Sequence, residues 1–290
     1  MLTRQIAAVL LALGSFAAIA SADSDVYAVT IFQQFGTVDL TTGSFQPIGP
    51  GTPDPVSNLV PAPNGQLFSL DAANGNLVSI NPATGATTII GATGIGAFGA
   101  DLAEVGGKLY LTDLSNNLYT VNSSTGAATL LGPTGIPADP AYPFTMNPDG
   151  TLNLFDESLY GVGNALYATF DAFTLDPATL SETDVVPPSL WQIDPTTGVA
   201  TRIGPTMLNL SASVDVDGTF YAFHVMPTPT GQVNQLYTLD LSNGDTSFVR
   251  DIDSSAAGIV GAAPVPEPSS IAMLGIAILA AVWGSRKRRA

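Results

Sequence analysis

The sequence contains no cysteine and only one histidine among its 290 residues. The absence of cysteine excludes disulfide bonds, thiolate metal sites and cysteine nucleophiles. A Ser-His-Asp triad would have to use His224, and the chain has no G-x-S-x-G elbow, H-E-x-x-H motif or Walker loop. We therefore predict that the protein is not an enzyme and needs no cofactor for catalysis.

Charged residues are also scarce, at 11% of the chain, and the basic ones are concentrated at the termini. Eight lysines and arginines stand against 24 acids, which gives a formal net charge of −16. Five of the eight lie at positions 4 and 286–289, so the body between the termini is strongly acidic. Such a surface repels nucleic acid and anionic membranes, whereas cations and cationic partners stay open.

A hairpin repeat is the main feature that the chain does have. Residues 117–132, NLYTVNSSTGAATLLG, form two short strand patterns around a tight turn that closes on Thr125-Gly126. The first turn residue is Asp or Asn, which accepts a backbone N–H two residues on, and the glycine supplies a left-handed conformation. Repeats spaced by about 40–45 residues are typical of a β-propeller. The other copies lie at 35–49, 76–91, 189–204 and 235–249.

The repeat predicts an all-β propeller of five blades. An interval of 72 residues separates the turn glycines Gly126 and Gly198, so six blades is the alternative. The small, apolar segment 256–263, AAGIVGAA, follows the fifth turn without a blade of its own. We predict that it supplies the inner strand of the first blade and closes the ring, which removes exposed sheet edges. The predicted blades are 24–51 with 256–263, 52–94, 95–136, 137–207 and 208–255.

Propeller topology also predicts a binding face. Tight turns gather on one face, and the longer loops, where binding sites usually lie, gather on the other. The loop 173–189 is acidic and includes Glu182, and the second strands deliver further polar residues to the same face. These acids could bind calcium through oxygen ligands, or they are simply solvated, so the metal stays unknown. The side chains predicted for this face are Asp71, Asp113, Asp171, Asp176, Asp184 and His224.

The N-terminus predicts a signal peptide over residues 1–22. Arg4 precedes an apolar run over 6–19, and Ala20-Ser21-Ala22 provides a small-residue cleavage site. We expect cleavage between Ala22 and Asp23, which leaves residues 23–263 as the propeller domain.

The C-terminal segment 264–290 predicts a short membrane helix. Its apolar run 271–284 would be about 21 Å long as a helix, against a bilayer core of about 30 Å. It can span if its flanking serines lie at the interfaces and its basic residues snorkel. The positive-inside rule then keeps the C-terminus cytoplasmic and the body outside. The basic cluster consists of Arg286, Lys287, Arg288 and Arg289.

The order of features in this segment resembles a PEP-CTERM sorting signal. Pro266-Glu267-Pro268 precedes the single apolar helix, and the basic cluster ends the chain. The resemblance implies a Gram-negative bacterium with an exopolysaccharide-rich envelope and export across its inner membrane. It also implies that an exosortase, an integral-membrane peptidase, recognises Pro266, Glu267 and Pro268 and cleaves nearby, so that the body is released or transferred to the surface.

These features together predict an exported propeller with a binding or structural role in the cell envelope or extracellular matrix. Polysaccharide or envelope proteins are the expected partners, besides the exosortase that the resemblance implies. The alternative is a secreted propeller hydrolase or lyase that acts on polysaccharide.

Overall fold

The computed structural model describes residues 25–52, 55–62, 65–96, 100–137, 146–228 and 231–266. The predicted signal peptide, the predicted helix 271–284, the basic cluster 286–289 and Glu267-Pro268 lie outside these residues. In the described part the only helical segment is a 3-10 turn at Ser254–Ala256. No helix of that part is long and apolar enough to cross a membrane.

Strands of the described part form five four-stranded antiparallel sheets, and each sheet runs from an innermost to an outermost strand. From the inside outwards, blade 1 consists of β20 (Ile259–Pro264), β1 (Asp25–Thr30), β2 (Phe35–Asp39) and β3 (Phe45–Pro47). Blade 2 consists of β4 (Val56–Pro61), β5 (Leu67–Asp71), β6 (Asn76–Ile80) and β7 (Thr87–Ala92). Blade 3 consists of β8 (Asp101–Val105), β9 (Lys108–Thr112), β10 (Asn117–Val121) and β11 (Ala128–Pro133). Blade 4 consists of β12 (Leu152–Val162), β13 (Ala165–Asp176), β14 (Ser181–Ile193) and β15 (Ala200–Pro205). Blade 5 consists of β16 (Ala212–Val216), β17 (Thr219–Thr228), β18 (Gly231–Leu239) and β19 (Thr246–Asp251).

The innermost strands contact one another in the order β4, β8, β12, β16, β20 and back to β4, so the sheets form a closed ring. This confirms the predicted five-bladed propeller. The alternative of six blades is wrong, because the long interval between turn glycines belongs to one blade with elongated strands. In blade 4, β12, β13 and β14 are 11, 12 and 13 residues long, whereas the three inner strands of blade 3 have five residues each.

The C-terminal strand closes the ring as predicted. β20 pairs antiparallel with β1, with Val26 opposite Pro264 and Val29 opposite Gly261. Small residues are required at this point because inner strands of neighbouring blades approach closely. A Cβ added at Gly261 would lie 2.6–2.9 Å from backbone atoms of Asn58 in blade 2. The sequence AAGIVGAA therefore has side chains small enough for the narrowest part of the fold.

The apolar core consists of five clusters, one at each seam between neighbouring blades. Alternate residues of each strand point to opposite seams, so a strand such as β13 contributes Leu166 to one cluster and Tyr167 to the next. The largest fully buried side chains are phenylalanines at three of these seams. They are Phe35, Phe170 and Phe223.

Contacts around the rim explain two glycines of each repeat. The turn glycine of one blade packs against the end of the outer strand of the preceding blade: Gly126 lies against the Gly91 carbonyl, and Gly244 against the Pro205 carbonyl. Gly126 also has a φ of +79°, a conformation that residues with a side chain rarely adopt. Both this conformation and the lack of space therefore require glycine.

A buried threonine follows four of the outer strands. Thr93 donates its hydroxyl to the Gly75 carbonyl at 2.6 Å, and Thr134 donates its hydroxyl to the Asn116 carbonyl at 2.8 Å. Each bond holds the start of the connection to the next blade against the turn between the second and third strands of the preceding blade. Thr52 and Thr206 occupy the corresponding places and are also buried.

Strand directions define two faces of the ring. β1 begins and β20 ends at the same face, which also carries the turns between first and second strands and between third and fourth strands. We call this the tail face. In blade 1 the two ends of the body, Asp25 and Pro264, replace the hairpin turn that joins the first and second strands of every other blade. The opposite face, which carries the turns between second and third strands, is called the loop face.

Replacement of Gly261 by Ala should destabilise the protein by about 1–3 kcal/mol, since the new methyl group meets rigid backbone of Asn58 rather than a side chain that can move. The free energy of unfolding is measured by urea denaturation. Gly96→Ala is the matched control, because its Cβ would have no neighbour within 4 Å. Equal stability of the two variants would contradict the closely packed inner ring.

Candidate functional site

Two of the acids predicted for the binding face stabilise their own turns. Asp71 is buried and accepts hydrogen bonds from the backbone N–H of Ala73 and the side-chain amides of Asn74 and Asn76. Burial alone would raise the pKa of Asp71, but these hydrogen bonds outweigh it and the pKa lies below its usual value. Asp113 accepts the Tyr119 hydroxyl at 2.8 Å and two backbone N–H groups of its turn.

Asp176 and Asp171 lie along the elongated β13. Asp176 is partly buried at the turn into β14, where it accepts the N–H of Ala178 and the hydroxyl of Thr179. These bonds lower the pKa of Asp176. Asp171 is buried within the strand, opposite residue 156 of β12. Neither acid is therefore a freely exposed side chain of the predicted binding face.

Elongated strands bring the other two predicted residues together at the loop-face end of the seam between blades 4 and 5. The loop-face end of β14 carries Glu182 and Asp184, and β17 carries His224. The connection between these blades adds Asn209, whose amide donates to Glu182 at 3.4 Å. We call Glu182, Asp184, Asn209 and His224 the His224 cluster.

Hydrogen bonding fixes the orientation of the imidazole in the His224 cluster. His224 Nδ1 lies 2.7 Å from the backbone carbonyl oxygen of Asn209. A carbonyl only accepts, so Nδ1 carries the proton, and in the neutral ring Nε2 is left as an acceptor. The imidazole meets the Tyr237 ring edge to face, with 6.3 Å between the ring centroids.

Glu182 is the member of the His224 cluster with a shifted pKa. Partial burial raises the pKa of Glu182, the nearby His224 opposes the rise, and Asp184 adds to it. The cluster thus combines carboxylates, an amide and an imidazole acceptor, which can hydrogen-bond to the hydroxyl groups of a ligand. Asn209 was not predicted, because no motif marks it and its position depends on contacts between blades.

A second group of acids lies at the seam between blades 3 and 4 and was not predicted from the sequence. Asp101 is the first residue of β8 and is buried, and its Oδ2 accepts the backbone N–H of Leu159 in blade 4. Burial raises the pKa of Asp101 to about 8. Burial, and then the charge of Asp101, raise the pKa of Glu157 well above its usual range. The only available signal was an acid at the edge of an apolar inner strand.

Among the described residues, no three His, Asp or Glu side chains lie close enough together to form a metal site by themselves. The six predicted side chains are thus divided between turn caps, the interior of β13 and the His224 cluster. The central channel is not an alternative site for a large ligand. It encloses about 140 Å³ between the inner strands, with Ser158 and Ser213 hydroxyls 3.3 Å apart across it, whereas small-molecule pockets usually measure about 300–1,000 Å³.

Comparison with known protein families identifies a PEP-CTERM protein-sorting motif over residues 264–289. The resemblance described for Pro266-Glu267-Pro268, the apolar run and the basic cluster is thereby confirmed. Signals of this kind are recognised by exosortase, a membrane protein, and they imply export to the cell envelope. In the structure, Pro266 is exposed and follows two residues after the end of β20.

No curated protein matches the sequence. Several solved structures are similar to this chain at low identity. A chain from a nidogen/laminin complex is 10% identical, with a TM-score of 0.48 over 82% of this chain and 97% of that one. TolB from Acinetobacter baumannii is 12% identical, with a TM-score of 0.45 over 84% and 66%. A Bacteroides thetaiotaomicron protein of unknown function is 16% identical, with a TM-score of 0.49 over 84% and 62%. Likeness at this level carries no argument about function.

The buried acids predict a pH-dependent stability. Because the pKa of Asp101 is raised in the folded protein, its contribution to stability is complete below about pH 4 and is lost as the pH rises towards 8. Asp101→Asn should remove this loss, worth at most about 1.4 kcal/mol per pH unit. Urea denaturation from pH 5 to 9, in buffer without divalent cations, measures the difference between the variant and the wild type.

Asp217→Asn provides the control for this prediction, since Asp217 is exposed at a turn of the tail face. Its difference from the wild type should not change with pH. A pH profile of Asp101→Asn that runs parallel to the wild-type profile would contradict the prediction.

Proposed function

We propose that this exported propeller binds polysaccharide of the cell envelope or extracellular matrix through the His224 cluster. Two statements form the basis of the proposal. The PEP-CTERM motif implies export and exosortase processing, and a β-propeller body fits a binding or structural role. The finer assignment of a ligand class rests on the position and chemistry of the cluster.

The observation that carries the proposal is the position of the cluster within the propeller body. β20 ends at the tail face, so the propeller body ends there at Pro264. The His224 cluster lies at the loop face, where β14 and β17 extend beyond the length of their counterparts in other blades. The cluster therefore lies at the face of the body opposite Pro264, the last residue of β20.

The chemistry of the cluster favours a polyhydroxylated ligand without negative charge. Glu182, Asp184 and the Asn209 amide offer acceptors and a donor for sugar hydroxyls, and the edge of Tyr237 adds an aromatic surface beside His224. The chain has a net charge of −16, which opposes binding of polyanionic polysaccharide. Neutral and amino-sugar polymers are the classes that the charges allow.

One observation supports the alternative of a polysaccharide hydrolase or lyase. Glu182 has a raised pKa and lies near His224, as a general acid often does. The proposal of a binding role is preferred, because no second carboxylate is fixed opposite Glu182 in the described residues by a hydrogen bond of its own.

Binding is tested by passing the purified full chain over immobilised neutral, amino-sugar and anionic polysaccharides. We expect retention on a neutral or amino-sugar polymer, and at least tenfold weaker binding by Glu182→Gln or His224→Ala, because each loses a group that faces the ligand. Asp217→Asn, which removes a charge at the tail face, should bind as the wild type does.

The same assay separates the two functions. Retention of intact polymer supports the binding role, whereas release of new reducing or unsaturated ends that depends on Glu182 would establish the enzymatic alternative. Retention that is equal in all variants would exclude the His224 cluster as the binding site. Absence of retention on every polymer would overturn the proposed ligand class.

Processing of the tail gives a second prediction. We expect Glu267→Ala to block cleavage by the exosortase, so that cells accumulate a longer, membrane-bound form, visible by immunoblotting and intact mass. Asp184→Ala removes the same charge from the exposed surface of the body and should be processed normally. A normally processed Glu267→Ala protein would show that this residue of the motif is not read.

A further inference from the structure

The seam between blades 3 and 4 contains three oxygen-bearing side chains that converge from two blades. Asp101 and Thr112 face each other across β8 and β9, and Glu157 comes from β12 of the next blade. We infer that Asp101, Thr112 and Glu157 form a binding site for one divalent cation that prefers oxygen ligands, with calcium as the expected ion. This site is separate from the His224 cluster, which lies at the seam between blades 4 and 5.

The geometry of Asp101 is fixed in a way that suits a ligand. Its two carboxylate oxygens accept the backbone N–H groups of Leu102 and, across the seam, of Leu159. Each oxygen keeps a further lone pair, so these bonds orient the carboxylate without using its full capacity as an acceptor. The side chain cannot turn away to water, because Asp101 is only 5% exposed.

Two buried oxygen atoms beside Asp101 lack a hydrogen-bond partner. Thr112 is 0% exposed, and its Oγ1 has no partner in hydrogen-bonding geometry. Glu157 Oε1 is likewise without one in that geometry, although Glu157 lies close enough to Thr112 for a weak hydrogen bond to lower its pKa, and close enough to Asp101 for the Asp101 charge to raise it. Buried polar atoms are nearly always paired in folded proteins. A bound cation would give both oxygens a partner.

The charges at this seam also favour a cation. The two carboxyl groups lie close together in a buried place, and the Asp113 carboxyl group lies nearby. The basic residues of the two blades, Lys108 and Arg202, lie at the tail-face end of β9 and in the outermost strand β15, and both are exposed. Neither is therefore placed to neutralise the pair.

Ligand chemistry selects the ion. Two carboxylates and a hydroxyl are hard oxygen ligands, and calcium accepts six to eight of them in flexible geometry, with water completing the shell. Magnesium requires nearly ideal octahedral geometry, and zinc prefers nitrogen and sulfur ligands, which this seam lacks. A calcium ion at this position would join blade 3 to blade 4 through contacts that neither blade makes alone.

The test measures the thermal midpoint of the purified full chain after removal of metals with EDTA. We expect calcium chloride to raise the midpoint by roughly 5–10 °C at a hundredfold excess over the dissociation constant. Magnesium chloride should have a smaller effect, and sodium chloride of equal ionic strength should have none. Isothermal titration calorimetry should show one calcium ion per chain.

Variants assign the effect to these residues. Glu157→Gln and Asp101→Asn should abolish the calcium-dependent rise, and Thr112→Val, which keeps the shape of the side chain, should weaken calcium binding without impairing folding. Asp217→Asn should respond as the wild type does. A wild-type midpoint that calcium does not change, or a Glu157→Gln variant that binds calcium normally, would overturn the inference.

Discussion

The fold depends on one pairing, that of the last strand with the first. β20 and β1 are more than 200 residues apart in sequence, yet they are neighbours in blade 1. The pairing has a large entropic cost, because it closes a loop of more than 200 residues. Once it has formed, every inner strand has a neighbour on both sides. Every seam then has two sides, and the five apolar clusters are complete only in the closed ring.

Closure also determines where polar groups can be placed. Inner strands approach so closely that a Cβ atom has no room at some positions, as at Gly161 and Gly261. Asn58, Glu104 and Asp215 line the narrow central space, but the two groups of polar side chains described above lie where strands begin or extend past the ring, at the loop face. Asp101 and Glu157 lie at one such place, and the His224 cluster lies at another. Both groups of side chains therefore lie at the loop face.

The blade count and the closing strand could be predicted because they follow from local patterns. A turn closed by glycine marks each blade, with Thr-Gly in four blades and Asn243-Gly244 in the fifth, and the small residues of AAGIVGAA suit an inner strand. A further pattern, Gly-x-Thr, marks the ends of three outer strands, at Thr93, Thr134 and Thr206. The acids of the candidate sites could not be sorted in this way. Asp71 and Asp113 differ from Asp184 in burial and in hydrogen-bond partners, which only the folded chain shows. Asp101 and Glu157 come from different blades, and no sequence pattern pairs them.

The position of the two ends of the body, side by side at Asp25 and Pro264, has a mechanical consequence. A chain held at its C-terminal tail and pulled at its loop face receives the load along the axis of β20. In that geometry the hydrogen bonds between β20 and β1 are sheared together instead of being opened one after another. In a chain held in this way, the strand that completes the ring also transmits tension. The hydrogen bonds between β20 and β1 then determine how much force the protein withstands.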